Sequence, residues 1–176
     1  MEILTLNWLV SVGAVLMLAA SAVLFVVLFL QQTYLVRIVV RYAFLATSFV
    51  AITGLVMSLV YSEYYGVVPC GLCWMERVFL YPLAFILPLA LWRRDANAAL
   101  YAMALSAIGA LIALYHHYIQ MGGGSVLPCP ASGVSDCAKR FIFEFGFMTF
   151  PLIAFSSFVF IFVCMLFVWR RRHERV

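Results

Sequence analysis

The chain has 176 residues, 67% of them hydrophobic and only 10% charged, with a mean hydropathy of +1.11. So little charge excludes a water-soluble domain of this length, which would need far more to cover itself. The formal charge of +4 is no sign of nucleic-acid binding, and where the arginines fall says more than their sum. One compact membrane bundle of all-α class is the expectation.

Five stretches have the roughly 20 apolar residues needed to cross about 30 Å of hydrocarbon. All are predicted to be helical, because lipid offers no partner to an unpaired backbone group. The first, 8–30, has no charge and only Ser11 and Ser21 as polar interruptions. It lacks a basic leader and exceeds the apolar run of about 7–15 residues in a signal peptide, so it reads as a span. The second covers 42–61. The third, 72–92, carries Glu76 and Arg77 in its first turns, and Pro82 and Pro88 predict a bend by each removing a backbone donor. The fourth runs over 98–117 and the fifth over 147–169.

Arginine marks one side. Arg37 and Arg41 fall between spans one and two, Arg93 and Arg94 between three and four, and Arg170, Arg171, Arg172 and Arg175 follow the fifth. With an odd number of spans these clusters share a side, which the positive-inside rule makes cytoplasmic. The N-terminus and the links 62–73 and 118–146 then lie outside, with Lys139 and Arg140 as a minority of outside charge. Those links hold Cys70, Cys73, Cys129 and Cys137, four of the five cysteines, in the compartment where disulfides persist.

Cys70-Gly71-Leu72-Cys73 has the spacing of a redox pair at a predicted helix start. Two cysteines three apart can close a disulfide. When reduced, a helix N-terminus with about half a positive charge favours the thiolate. Pro69 suits the turn into the helix, and Gly71 leaves the backbone room. Spacing alone leaves open a structural disulfide, or half of a zinc site completed by Cys129, Cys137 or the histidines. Covalent c-type haem is disfavoured, because Trp74 stands where that motif has histidine.

Arg77 follows Cys73 by four residues and shares its helix face. Two readings stand side by side. Either Arg77 snorkels to the interface and pairs with Glu76 or a loop acid, or it donates to a bound ligand's carbonyl oxygen beside the Cys73 sulfur.

The stretch GGGSVLPCPASGVSDCAKR is rich in glycine and proline and reads as a loop, across which Cys129 and Cys137 can reach each other. A structural staple is the ordinary reading, but it would close only a short loop. A mobile, exposed disulfide is more reducible and can be presented to another protein, so exchange chemistry is the expectation. Cys164, deep in the fifth span, reads as an inert apolar residue. His116 and His117 end the fourth span at the level of Cys73, where an interfacial histidine often has no special role. Adjacent residues point to different helix faces, which disfavours haem ligation by both.

With these residues in place, the chain resembles the DsbB/BdbC family of membrane thiol oxidoreductases. The likeness runs from about residue 42 to the C-terminus. It rests on PCGLCWMER, on SDCAKR before a phenylalanine-rich approach to the last span, and on Pro151 near that span's start. The first span departs from the family's four-helix plan. The resemblance implies a DsbB-type four-helix transmembrane bundle plus one extra N-terminal helix. The extra helix would occupy 1–37, and the redox domain 38–176 with its extracytoplasmic loop at 118–146. It also implies a monomer in the bacterial cytoplasmic (inner) membrane.

The family's activity would be a relay: a soluble DsbA-like, thioredoxin-fold dithiol is reoxidised, and a quinone (ubiquinone or menaquinone) takes the electrons. Carried over, Cys129 would form the mixed disulfide with the partner, Cys137 would be its mate, and Cys70 would exchange with that pair. Cys73 would face the quinone, with Arg77 beside the ring carbonyl and Glu76 in the same motif. His116, four residues before Gln120, is the better match for the quinone-side histidine, with His117 a close rival. Residues 138–150 would lie along the membrane surface as a short helix. No metal is expected. An oxidase near about −120 mV loses electrons to a disulfide near about −180 mV only uphill, by roughly 2.8 kcal/mol for two electrons, so a lipid-soluble acceptor is needed.

Two rivals are weighed against this. In the vitamin K epoxide reductase family the loop pair precedes the CxxC, whereas here Cys70 and Cys73 come first. A non-catalytic membrane protein with stapled or metal-bound outer cysteines is the rival of a different class.

Overall fold

The computed structural model describes residues 3–30, 33–124 and 137–173. Five helices follow in order: α1 (Ile3–Leu30), α2 (Thr33–Leu59), α3 (Gly71–Arg93), α4 (Ala98–Gln120) and α5 (Phe150–His173). A π-helical turn, Val60–Tyr64, continues α2. All five are long and apolar enough to span a membrane, as the hydropathy pattern predicts. The chain is a multi-pass, all-α membrane protein.

The helices outrun the apolar windows. α2 starts at Thr33, so Arg37 and Arg41 lie inside it, exposed on its surface. Charge limits which residues sit in hydrocarbon, not which residues are helical.

α5 is the central element. It packs along α4, α1 and α2, with Phe158, Ile161 and Met165 completely buried in one core cluster that also holds Leu83 and Leu87 of α3. Cys164 lies in this core at 2% exposure, as an apolar residue would. α4 meets α5 through a stripe of small residues. Ala99, Ala102, Ser106, Gly109 and Ala113 are buried at alternating spacings of three and four, and the same stripe continues into His116 and Gln120. Small residues let two helices approach closely in lipid, where close packing rather than water exclusion drives association. The register that buries the alanines therefore also turns His116 and Gln120 inward.

The arginine end is tied off separately. Arg94 closes α3 in the left-handed region (φ 54°), with its N–H directed to the Ala90 and Leu91 carbonyls. Asp95 Oδ1 accepts from Asn97 N and Nδ2, both at 2.9 Å, and Arg172 of α5 donates to Asn97 Oδ1.

The short surface helix expected over 138–150 does not form. Residues 139–149 are turns and extended chain, closed by a bridge between Glu144 and Met148. The sequence explains why: Phe141, Phe143, Phe145 and Phe147 are exposed, whereas Ile142 and Met148 are buried. That is largely the period of two of an extended segment, not the 3.6 of a helix. Phe145 and Gly146, both at positive φ (57° and 78°), make the reversal.

Gly109 has no room for a side chain, since a Cβ there would stand 2.6 Å from the Phe158 ring. Gly109→Ala should lower stability by about 1–3 kcal/mol through overpacking. Gly13→Ala, with nothing within 4 Å, should leave it unchanged or slightly raised. Thermal unfolding of the two variants in detergent checks the contrast.

Candidate functional site

Cys70 is the N-cap of α3. Its backbone is extended (φ −75°, ψ 174°) and its sulfur accepts from Cys73 N–H at 3.3 Å, the place a serine or aspartate oxygen usually takes. Cys73 Sγ lies 2.9 Å from Cys70 Sγ. Cys70 is buried and Cys73 half-buried.

The two histidines part company. His116, with no exposed surface, places Nε2 3.6 Å from Cys70 Sγ and Nδ1 2.8 Å from Glu76 Oε1. With its N–H on Nδ1 directed at the carboxylate, Nε2 is the nitrogen that meets the sulfur. His117 points elsewhere, with Nδ1 2.8 Å from Thr149 Oγ1 at the entrance to α5. Glu76 thus hydrogen-bonds His116, and among the described residues it makes no ion pair with Arg77. Cys70, His116 and Glu76 form a connected row, sulfur to imidazole to carboxylate, across the α3–α4 interface.

Arg77 is anchored by α2. Its Nε donates to Ser58 Oγ at 2.8 Å and its Nη2 to the Ser58 carbonyl at 2.9 Å, and its guanidinium lies 5.1 Å from the Trp74 ring centroid. Nη1 has no protein partner among the described residues.

A cavity of about 140 Å³ opens beside these groups. Cys70, Cys73, Glu76, Arg77 and Gln120 are among the residues that bring polar atoms, and apolar side chains such as Met57, Leu80, Phe150 and Phe158 make up much of the wall. Gln120 donates from Nε2 to the Lys139 carbonyl at 3.1 Å, whereas its Oε1 is buried with no partner among the described residues.

Of the loop pair, Cys129 lies outside the described residues. Cys137 is disulfide-bonded and only 1% exposed, so this half of the pair is not the surface-exposed group expected from the sequence. The reason is packing. Cys137 shares an apolar cluster with Cys70, Leu72 and Ile119, and Arg140 Nε anchors the segment by donating to the Gln120 carbonyl at 2.6 Å. That carbonyl is among the last of α4, where the helix dipole favours a cation.

Sulfur and imidazole atoms of Cys70, Cys73 and His116 lie within 4.8 Å of one another, a grouping a soft cation could also use. Two thiolates on one tetrahedral zinc stand about 3.8 Å apart. The sulfurs of Cys70 and Cys73 stand closer together than that, at 2.9 Å.

The sequence model described as "Disulfide bond formation protein DsbB" matches residues 40–169. The chain belongs to the DsbB family. It is similar to the "Probable disulfide formation protein C" of Halalkalibacterium halodurans, with 41% identity over 122 residues, 69% of this chain and 89% of the relative. Its likeness to the "SPbeta prophage-derived disulfide bond formation protein B" of Bacillus subtilis is 40% over 123 residues, 70% and 82% of the two chains. For the "Disulfide bond formation protein C" of the same species it is 37% over 134 residues, 74% and 94%. No solved structure matches significantly. The DsbB match takes in Cys70, Cys73, Glu76, Arg77, His116 and Cys137 and leaves α1 outside.

Sequence reasoning missed Ser58 as the anchor of Arg77. Its only signal was a polar residue on the inner face of an apolar span. The Glu76–His116 pairing joins residues 40 apart in sequence and had no local signal at all.

Hydrogen bonding from the Cys73 thiol, and then from His116, holds the Cys70 thiol well below the ordinary cysteine range despite its burial. A lowered pKa leaves the thiolate present at neutral pH and lost only as pH falls through the lowered value. Alkylation of Cys70 in the reduced protein, followed by peptide mass spectrometry, should therefore run nearly as fast at pH 6 as at pH 8. His116→Ala should move the midpoint upward, and a wild-type midpoint near 8.5 would contradict the geometry.

Proposed function

We propose that this membrane oxidoreductase of disulfide bond formation reoxidises a soluble thioredoxin-fold dithiol on the extracytoplasmic face and passes the electron pair to a quinone in the bilayer. The observation that carries the proposal is the meeting, at one end of the bundle, of a capped CxxC pair, a buried imidazole–carboxylate row and an apolar cavity reached by Arg77. The arginine-rich ends of α2, α3 and α5 lie at the opposite end, which supports an extracytoplasmic placing of the cysteines. The bacterial cytoplasmic membrane is the membrane inferred. Residues 38–176 form the redox unit in this reading.

The residues present fit a quinone ring. A cavity near 150 Å³ suffices for a benzene-sized molecule, and this one is about 140 Å³. Arg77 Nη1 offers a donor suited to a carbonyl oxygen. The unpartnered Gln120 Oε1 offers an acceptor suited to the hydroxyl of the reduced ring. A bound quinone would supply a two-electron, two-proton sink dissolved in lipid.

The remaining chemistry belongs to the chain. A thiolate of the soluble partner attacks Cys129 of a Cys129–Cys137 disulfide, forming a mixed disulfide and freeing Cys137. The partner's second thiol displaces Cys129, which leaves the partner oxidised and the loop pair reduced. Cys137, packed in the cluster of Cys70, then attacks Cys70 of the oxidised CxxC and frees Cys73. Closure of the Cys129–Cys137 bond moves both electrons to the Cys70–Cys73 pair. As the Cys70–Cys73 bond re-forms, two electrons leave toward the cavity. His116 Nε2 takes any proton left on Cys70, Glu76 balances the charge on the ring, and the proton of Cys73 departs into the cavity. Arg77 stabilises negative charge developing there.

Purified protein given a reduced thioredoxin-like substrate and a soluble quinone should oxidise the one and bleach the other, and Cys73→Ser should abolish both. Thiol loss that continues in Cys73→Ser would end the relay assignment. Cys137→Ala should accumulate a Cys129 mixed disulfide with the partner on a non-reducing gel. Arg77→Ala should raise KM for the quinone about tenfold or more, the scale of a charge-assisted hydrogen bond, with little change for the dithiol. Equal effects on both would favour simple snorkelling.

A further inference from the structure

The helix outside the DsbB match contributes to the same cavity. α1 ends at Leu30, before the matched region begins at residue 40, yet Val10 is part of the cavity wall. One turn earlier, Asn7 is 6% exposed, and its Oδ1 accepts a 2.7 Å hydrogen bond from the hydroxyl of Tyr61, itself 4% exposed. Tyr61 sits in the π-helical turn after α2 and lines the cavity. Its ring stands edge-on to Phe150, the first residue of α5, with centroids 4.6 Å apart. Leu6, Tyr61 and Ile142 form one apolar cluster, with Val10, Phe150 and Ile153 packed against it.

α1 runs mainly along α5 and touches α2 only slightly. Its outer end is therefore where it bridges the seam between α2 and α5. Trp8 and Leu9, on the far side of α1, are half exposed, so α1 stands between the cavity and the surroundings. A buried amide in an apolar helix is costly unless bonded, and a leucine would pack there as well if packing were the only demand. Among the described residues Asn7 has one side-chain hydrogen bond, and it goes to a cavity residue.

We infer that α1 is a built-in wall of the acceptor cavity, latched over the α2–α5 seam by the Asn7–Tyr61 hydrogen bond, and that Val10 limits the bulk of the quinone ring admitted. The inference rests on the reading of the cavity as the quinone site. It makes Asn7 and Tyr61 positioning residues and Val10 a selectivity residue.

The test uses the full-length protein with saturating reduced dithiol and two soluble acceptors, a decyl-tailed benzoquinone and a naphthoquinone. Asn7→Ala and Tyr61→Phe should each raise, about five- to tenfold, both the KM for the benzoquinone and its dissociation constant from the resting protein, read without turnover by tryptophan fluorescence quenching. The double variant should be no worse than the worse single, because one hydrogen bond is lost in every case. KM for the dithiol should stay within about twofold of wild type throughout, which a general loss of structure would not allow. Val10→Ala should raise the kcat/KM ratio of naphthoquinone to benzoquinone about threefold, and Val10→Phe should lower it.

Unchanged quinone KM in both latch variants, parallel shifts in both KM values, or an unchanged acceptor ratio in Val10→Ala would overturn the inference. If a latch variant fails to fold, the Val10→Ala ratio alone decides. A wild-type protein that bleaches neither quinone defeats the acceptor reading itself. A wild-type protein that turns over normally, with variants that match it, defeats only the role given to α1.

Discussion

The redox end is built around a single sulfur. Cys70 Sγ receives the Cys73 N–H at 3.3 Å, the Cys73 sulfur at 2.9 Å and His116 Nε2 at 3.6 Å, all at the positive end of α3. Each partner needs a different part of the fold. The Cys73 N–H is available because the first turn of a helix leaves its donors unpaired. His116 arrives because the small residues of α4 fix that helix against α5 and set its rotation. Glu76, three residues after Cys73 on α3, orients the imidazole by bonding its other nitrogen.

Arg77 shows how the same end manages a charge at membrane depth. A guanidinium in hydrocarbon is costly unless its donors are used. Ser58 takes two of its nitrogens, through one hydroxyl and one carbonyl, and the Trp74 ring lies against its face. With no partner for Nη1 among the described residues, the group is held in place without being fully consumed. That is the condition under which a fixed donor can act on a changing charge without reorganising. The glutamate and arginine, adjacent in sequence, are therefore sent to opposite duties across α3, one toward α4 and the other toward α2.

Much of this was legible beforehand. Hydropathy located five spans, and the thiol spacing located the pair at the start of α3, because both are local signals. The arginine at Cys73 plus four also belongs to that kind. What escaped depended on which faces meet. No pattern along the chain pairs Glu76 with His116, or Asn7 with Tyr61, since each joins two helices whose relative rotation comes from packing. The stretch from Phe141 to Phe147 departed for another reason. The surface helix was implied by the family resemblance, whereas the alternation of this sequence, read by period, describes extended chain closed at Phe145 and Gly146.

The anchoring of residues 137–140 to the end of α4 has a kinetic consequence. Gln120 holds this segment twice, accepting from Arg140 through its carbonyl and donating through its side chain to the Lys139 carbonyl. Cys137 is thus kept on a leash a few residues long, within the neighbourhood of the sulfur it would meet. In the proposed relay, passage of electrons between the two thiol pairs would be an encounter inside one molecule, at a high effective concentration. Its pace would be governed by small local displacements rather than by diffusion through the aqueous phase. Turnover would be paced by the arrival of the soluble partner from outside, not by traffic within the bundle.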